Sequence, residues 1–88
     1  MESISNNDQK YFAWLESHGD GFVVNTYSKP SASYMVLHRA TCYHIQRWTG
    51  RTSTCGSYLK VVTDDVSELH AWAAGLGGTL TACRTCQP

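Results

Sequence analysis

The sequence predicts a small α+β fold: a helix, two strands, a loop, a third strand, a second helix and a C-terminal turn carrying metal-type ligands. Three observations predict it. Helical and strand-like apolar spacings alternate along the chain without an internal repeat. Its 88 residues are too few for a second core. The four cysteines and four histidines include two pairs at chelating spacing. A chain this short buries only about 60% of the surface its unfolded form exposes, so a staple is expected. Hydrophobic residues at 42% and aromatics at 11% exclude a disordered chain. No apolar run reaches the roughly 20 residues needed to cross a bilayer, so no membrane partner is expected.

Residues 1–7, polar and rich in Ser and Asn, read as a flexible tail ahead of a single domain covering 8–88. From Asp8, a candidate N-cap, Tyr11, Phe12 and Leu15 recur at helical spacing with Trp14 beside them, and Gly19 stops the helix. The run Phe22-Val23-Val24-Asn25-Thr26-Tyr27 is β-branched and aromatic. Ser28-Lys29-Pro30-Ser31 interrupts it before Tyr34-Met35-Val36-Leu37, which predicts two strands in a hairpin. A turn-rich stretch over 49–57 leads to a third strand over 58–62. Asp65 and Glu68 have capping-box spacing, and Val66, Leu69, Ala73 and Leu76 share one helix face closed by Gly75, Gly77 and Gly78. The expected core is Trp14, Phe22, Val24, Val36, Leu59, Val61, Leu69 and Trp72.

His38-Arg39-Ala40-Thr41-Cys42 and Cys83-Arg84-Thr85-Cys86 are chelating half-sites, a His-x3-Cys and a Cys-x2-Cys. The x2 spacing lets two thiolates on one tight turn face a point about 2.3 Å away, while backbone N–H groups of the turn donate to the sulfurs. Three cysteines and a histidine suit tetrahedral zinc, so His38, Cys42, Cys83 and Cys86 are the expected ligands and the C-terminus is read as a zinc knuckle. Two other ligand sets remain open: Cys55 in place of His38, or His44 in its place. His18 and His70 have no ligand spacing. An iron–sulfur cluster normally takes four cysteines and would need Cys55. A redox Cys-x2-Cys should open a helix after a buried strand, whereas only two residues follow Cys86. The start MESISNNDQK has neither a basic nor an apolar stretch, so the thiols are expected in a reducing cytoplasm.

With these residues in view, the chain resembles the metal-binding domain of the Ada DNA-repair protein family. The likeness covers about residues 34–88. It is carried by His38 and Cys42 at a strand end, the 66–76 helix with Ala71, Ala73, Ala74 and Gly75, and Cys83, Cys86 and Pro88. The first 30 or so residues have no counterpart, and the interval from Cys42 to Cys83 is longer than the family's. The resemblance implies structural zinc and docking against a nucleic-acid backbone. In that family the first cysteine of a Cys-x3-Cys accepts a methyl group from a DNA phosphotriester. Here that position is His38, which has no thiolate, so the acceptor chemistry is not expected.

Net charge is zero, yet Lys29, Arg39, Arg47, Arg51 and Lys60 all fall within 21–62, a span without an acid. Tyr34, Tyr43, Trp48 and Tyr58 are interleaved with them, which suits a face that meets phosphates with cations and bases with rings. Arg39, Arg47, Trp48, Arg51, Lys60 and Arg84 are the candidate nucleic-acid contacts. Asp64, Asp65 and Glu68 sit where helix capping accounts for them, and no acid falls inside either half-site, so an enzyme is not expected. The sequence therefore favours a zinc module that binds nucleic acid, DNA backbone first, as a reader acting with or cut from a nuclease-type protein. The other reading is a zinc-stapled protein-interaction module.

Overall fold

The computed structural model describes residues 1–46 and 58–88. Arg47, Trp48, Arg51, Cys55 and the 49–57 loop lie outside them. The described residues form an α+β fold in the order β1 (Glu2–Ile4), α1 (Asp8–Ser17), β2 (Phe22–Ser31), β3 (Tyr34–Arg39), α2 (Tyr43–Gln46), β4 (Tyr58–Thr63), α3 (Val66–Gly75) and β5 (Thr81–Ala82). The strands make one sheet in the order β1-β4-β2-β3-β5. All its pairings are antiparallel except β3 with β5.

Successive residues of β2 and β4 point to opposite faces of this sheet, and both faces are covered. Val23 and Val62 pack with Ile4 of β1 and with Tyr11 and Leu15 of α1. Val24 and Val61 turn the other way, onto Leu69 and Ala73 of α3. A central strand covered on both sides reads as a continuous apolar run rather than an alternation, which is why Val23 and Val62 were missing from the expected core. Trp14, Phe22, Val36 and Trp72, expected within it, are only partly buried around its rim.

The first seven residues are not a frayed tail. Glu2–Ile4 pairs antiparallel with Lys60–Val62, and Ile4 is among the fully buried side chains. Asn7, not Asp8, caps α1, its side chain accepting from the Lys10 N–H at 3.1 Å. β2 also runs past its expected end to Ser31, and Pro30 lies where its register against β3 shifts, a position at which the missing N–H costs no ladder bond. Asp65 caps α3 as expected, but through the Ser67 N–H at 3.0 Å. Glu68 does not close the capping box. Its carboxylate accepts from the Thr63 hydroxyl and faces the N-terminal ammonium at 3.5 Å.

The end of α3 is a Schellman turn. Gly78 N–H donates to the Ala73 carbonyl and Gly77 N–H to the Ala74 carbonyl, with Gly77 at φ +75°. Gly75, two residues earlier, is helical and has open space around it. Alanine should therefore act with opposite sign at the two positions. Gly75→Ala is expected to raise stability by about 0.5–1 kcal/mol, and Gly77→Ala to lower it by about 1–2 kcal/mol through the left-handed backbone. Urea unfolding of the two variants checks both signs.

Candidate metal centre

Three local devices bring the two half-sites together. β3 ends at Arg39, and Ala40 N–H donates to the Gly21 carbonyl at 2.9 Å, turning the chain under the sheet end. Cys42 N–H then bonds the Arg39 carbonyl, and Ile45 N–H bonds that of Cys42, so Cys42 is buried at the start of α2. At the far edge β5 lies parallel to β3, and Cys83 N–H donates to the Leu37 carbonyl at 2.8 Å. This sets Cys83 beside His38. The turn closes with Gln87 N–H on the Cys83 carbonyl, and Arg39 N–H points at Cys86 Sγ from 3.2 Å.

The ligand atoms of His38, Cys42, Cys83 and Cys86 all lie within 4.8 Å of one another, close enough to bind a metal ion. Cys42 Sγ and Cys83 Sγ are 3.8 Å apart. Two sulfurs each about 2.3 Å from a central ion at the tetrahedral angle are separated by about 3.8 Å, whereas a disulfide requires about 2.05 Å. All three described cysteines are free thiols. His38 Nδ1 is buried without a hydrogen-bond partner, a costly arrangement for a neutral ring unless that nitrogen has a ligand role.

Protonation favours the same reading. Burial first, then the nearby Lys60 and His44, lowers the His38 pKa to about 4, so its imidazole is neutral at physiological pH. Burial opposes ionisation of Cys83, but the N–H groups of Cys86 and Thr85 outweigh it and its pKa falls below the ordinary thiol value. Burial pushes Cys86 up to about 11, the Cys42 and Cys83 sulfurs adding to the rise against the Arg39 N–H. Three sulfurs this close cannot all ionise without a cation among them. A cation would draw them all into the thiolate form.

Of the two open alternatives, the described residues bear on His44, while Cys55 lies outside them. His44 is not in the ligand cluster; its Nε2 shares a hydrogen bond with Thr85 Oγ1 at 2.8 Å, tying α2 to the Cys-x2-Cys turn. His18 stacks on Trp14 with ring centroids 4.5 Å apart, and His70 is exposed on α3. Of the expected nucleic-acid contacts, Arg39 is engaged in the scaffold. Its Nε and Nη2 donate to the Cys86 and Gln87 carbonyls at 3.2 and 3.3 Å, and its guanidinium lies 5.9 Å from the Phe22 ring centre. Arg84 is exposed in the Cys-x2-Cys turn. Lys60 is half-buried rather than a surface cation; with Asn25, His38, His44, Ile45 and Cys83 it lines a cleft of about 310 Å³ against the ligand cluster.

No known family model, curated protein or solved structure matches this chain. Asn25 went unnoticed in the sequence because nothing local marks it. Its cross-strand pairing with Lys60, which the backbone register reveals, is the signal.

Lys60 Nζ donates to Asn25 Oδ1 at 2.7 Å and lies 5.9 Å from the Tyr11 ring centre. Burial lowers its pKa to about 8, with Asp8 offsetting part of the fall. The unfolded chain thus holds a proton at this site that the folded chain has released between about pH 8 and pH 10.5, and stability rises with pH across that window. Lys60→Met is expected to be about 1 kcal/mol more stable than the parent at pH 7, after discounting for partial exposure. The gap should close as pH rises through 8 to 10. Denaturant unfolding at a series of pH values checks it.

Metal content checks the ligand set. One ion per chain is expected. Cys83→Ser should lose the ion or hold it loosely, His44→Ala and Cys55→Ser should retain it, and a chelator should unfold the parent protein, because ligands and fold assemble together. Elemental analysis alongside circular dichroism reads all four outcomes.

Proposed function

We propose that the chain is a structural-zinc module that binds nucleic acid, with the phosphate backbone as its first point of contact. Zinc is favoured by the donor set: three thiols and one imidazole, with one sulfur pair at tetrahedral spacing. His38, Cys42, Cys83 and Cys86 would hold it, and four protein ligands leave no position for a substrate, so the ion's role here is to close the fold. The residue that stands where the Ada-like pattern has its methyl acceptor is His38, an imidazole without a thiolate, so methyl transfer is not part of this reading.

The observation that carries the proposal is the placement of Lys60. A lysine ammonium sits in a cleft beside the ligand cluster, and the described residues lining that cleft include no carboxylate. Arg84 on the adjoining turn is exposed, and Arg47 and Arg51 follow α2 in sequence. Lys60 and Arg84 place two cations at the ligand-cluster end of the fold, an arrangement suited to phosphates.

Fluorescence anisotropy with labelled DNA and RNA oligonucleotides across a salt series tests this. Three to five phosphate contacts predict a slope of log affinity on log salt of roughly −2.7 to −4.5 for duplex DNA. Arg47→Glu with Arg51→Glu should flatten the slope without releasing the metal. Absence of binding at about 50 mM salt, where such contacts are strongest, would leave the protein-interaction reading in its place.

A further inference from the structure

The sheet face that carries His38 continues past Lys60 into a cluster of three tyrosines. Along β2 and β4, paired residues on this face run Val23 with Val62, Asn25 with Lys60, and Tyr27 with Tyr58. α1 covers the Val23 and Val62 end. At the other end Tyr27 lies 4.9 Å from Tyr34 and 6.1 Å from Tyr58 between ring centres, and Tyr34 lies 6.4 Å from Tyr58. Tyr27 is 43% exposed and Tyr58 44%. These are large exposures for rings already in mutual contact on a sheet.

The cluster is joined to the cleft by hydrogen bonds. Lys60 donates to Asn25 Oδ1, and Asn25 Nδ2 donates to the Tyr34 hydroxyl at 2.8 Å. Asn25 thus fixes both the ammonium and the third ring. Lys60 and Tyr58 are two residues apart on one strand, so their side chains share a face with Cα atoms about 7 Å apart along the sheet. Lys29, exposed, follows Tyr27 by two residues.

We infer that Tyr27, Tyr34 and Tyr58 form a base-stacking platform for single-stranded nucleic acid, with Lys60 taking a phosphate of the same strand. The inference rests on the nucleic-acid reading above and specifies it. An exposed ring offers its face, and a base can meet that face only when it is not stacked between neighbours in a duplex. A duplex presents phosphates and base edges, which the cations can meet and the tyrosines cannot. The cation beside the rings selects a polyanion over an uncharged aromatic partner.

Anisotropy with a labelled 12-nucleotide thymidine strand, set against a hairpin duplex at the same salt, separates the possibilities. The single strand should bind more tightly. Tyr27→Ala and Tyr58→Ala should each weaken it roughly five- to tenfold, within the range found for base–aromatic stacking, and leave duplex binding unchanged. Tyr27→Phe and Tyr58→Phe should bind as the parent does. The salt slope should stay the same in the Tyr→Ala variants and become shallower by about one in Lys60→Met, because only the lysine displaces a counterion. Metal content and circular dichroism of each variant exclude loss of fold. Equal affinity for both forms, or parent-like binding by the Tyr→Ala variants, overturns the platform while leaving a backbone-binding module intact. If neither form binds, the platform and the nucleic-acid reading fail together.

Discussion

The ends of this fold are held by mutual dependence between three thiols and one imidazole. β5 has only two residues, both exposed, and pairs with β3 alone. So short a parallel pairing stabilises little by itself, since ordering each residue costs about 1–2 kcal/mol. What keeps the C-terminus in place is the convergence of Cys83 and Cys86 on His38 and Cys42. Without a cation the sulfurs resist ionising together, and burial and its neighbours drive Cys86 towards the neutral thiol. A metal ion bound there would reverse this: groups that repel as thiolates would become the ligands that close the chain. Arg39 reinforces this by donating from its backbone to a ligand sulfur and from its side chain to the carbonyls beyond it.

The same constraint organises the sheet. With the ligand cluster occupying one end of a face, α1 has only the remaining apolar strip to cover, and it does so through Tyr11 and Leu15. α3 takes the opposite face through Leu69 and Ala73, which pack with Val24 and Val61. Both outer strands, β1 and β5, are two or three residues long, which leaves little free edge for pairing with another chain. Neither apolar cluster of the described residues includes the tyrosines at the far end of this face.

Local signals were legible in the sequence. The hairpin, the third strand, both long helices and the Asp65 cap were readable because each depends on neighbours within a few residues. The two half-sites were readable for the same reason, as spacing alone places His38 with Cys42 and Cys83 with Cys86. Pairings between distant segments were not. Glu2–Ile4 has no strand signature of its own and becomes a strand only because β4 offers an edge. Thr81–Ala82 is in the same position against β3. The sharing of β2 and β4 between two faces was hidden because Val23-Val24 and Val61-Val62 are apolar on both sides. Arg39 looked like a free cation for the same reason, since its carbonyl partners lie 47 and 48 residues away.

Lys60 and Arg39 show how the acid-free middle of the chain divides its work. Both are cations that the composition marks alike. Arg39 finds carbonyls and a ring, so its charge is used inside the scaffold. Lys60 is half-buried with a neutral amide as its hydrogen-bond partner and only Asp8 to offset its desolvation. A cation held where it costs stability, when methionine would fill the same space, is the pattern of a residue kept for what it meets rather than for what it supports. Its neighbours agree: Asn25 links it to Tyr34, the described residues lining the cleft beside it include no carboxylate, and Tyr27 and Tyr58 beyond it are exposed. Backbone register alone creates this arrangement, since Asn25 is opposite Lys60 and Tyr27 opposite Tyr58. A one-residue slip of β4 would send Lys60 and Tyr58 to the α3 face and dismantle the site without changing a single residue. The ligand cluster includes His38 on β3, β3 pairs with β2 in the hairpin, and β2 sets the register of β4, so an ion bound there would act on a surface it does not touch.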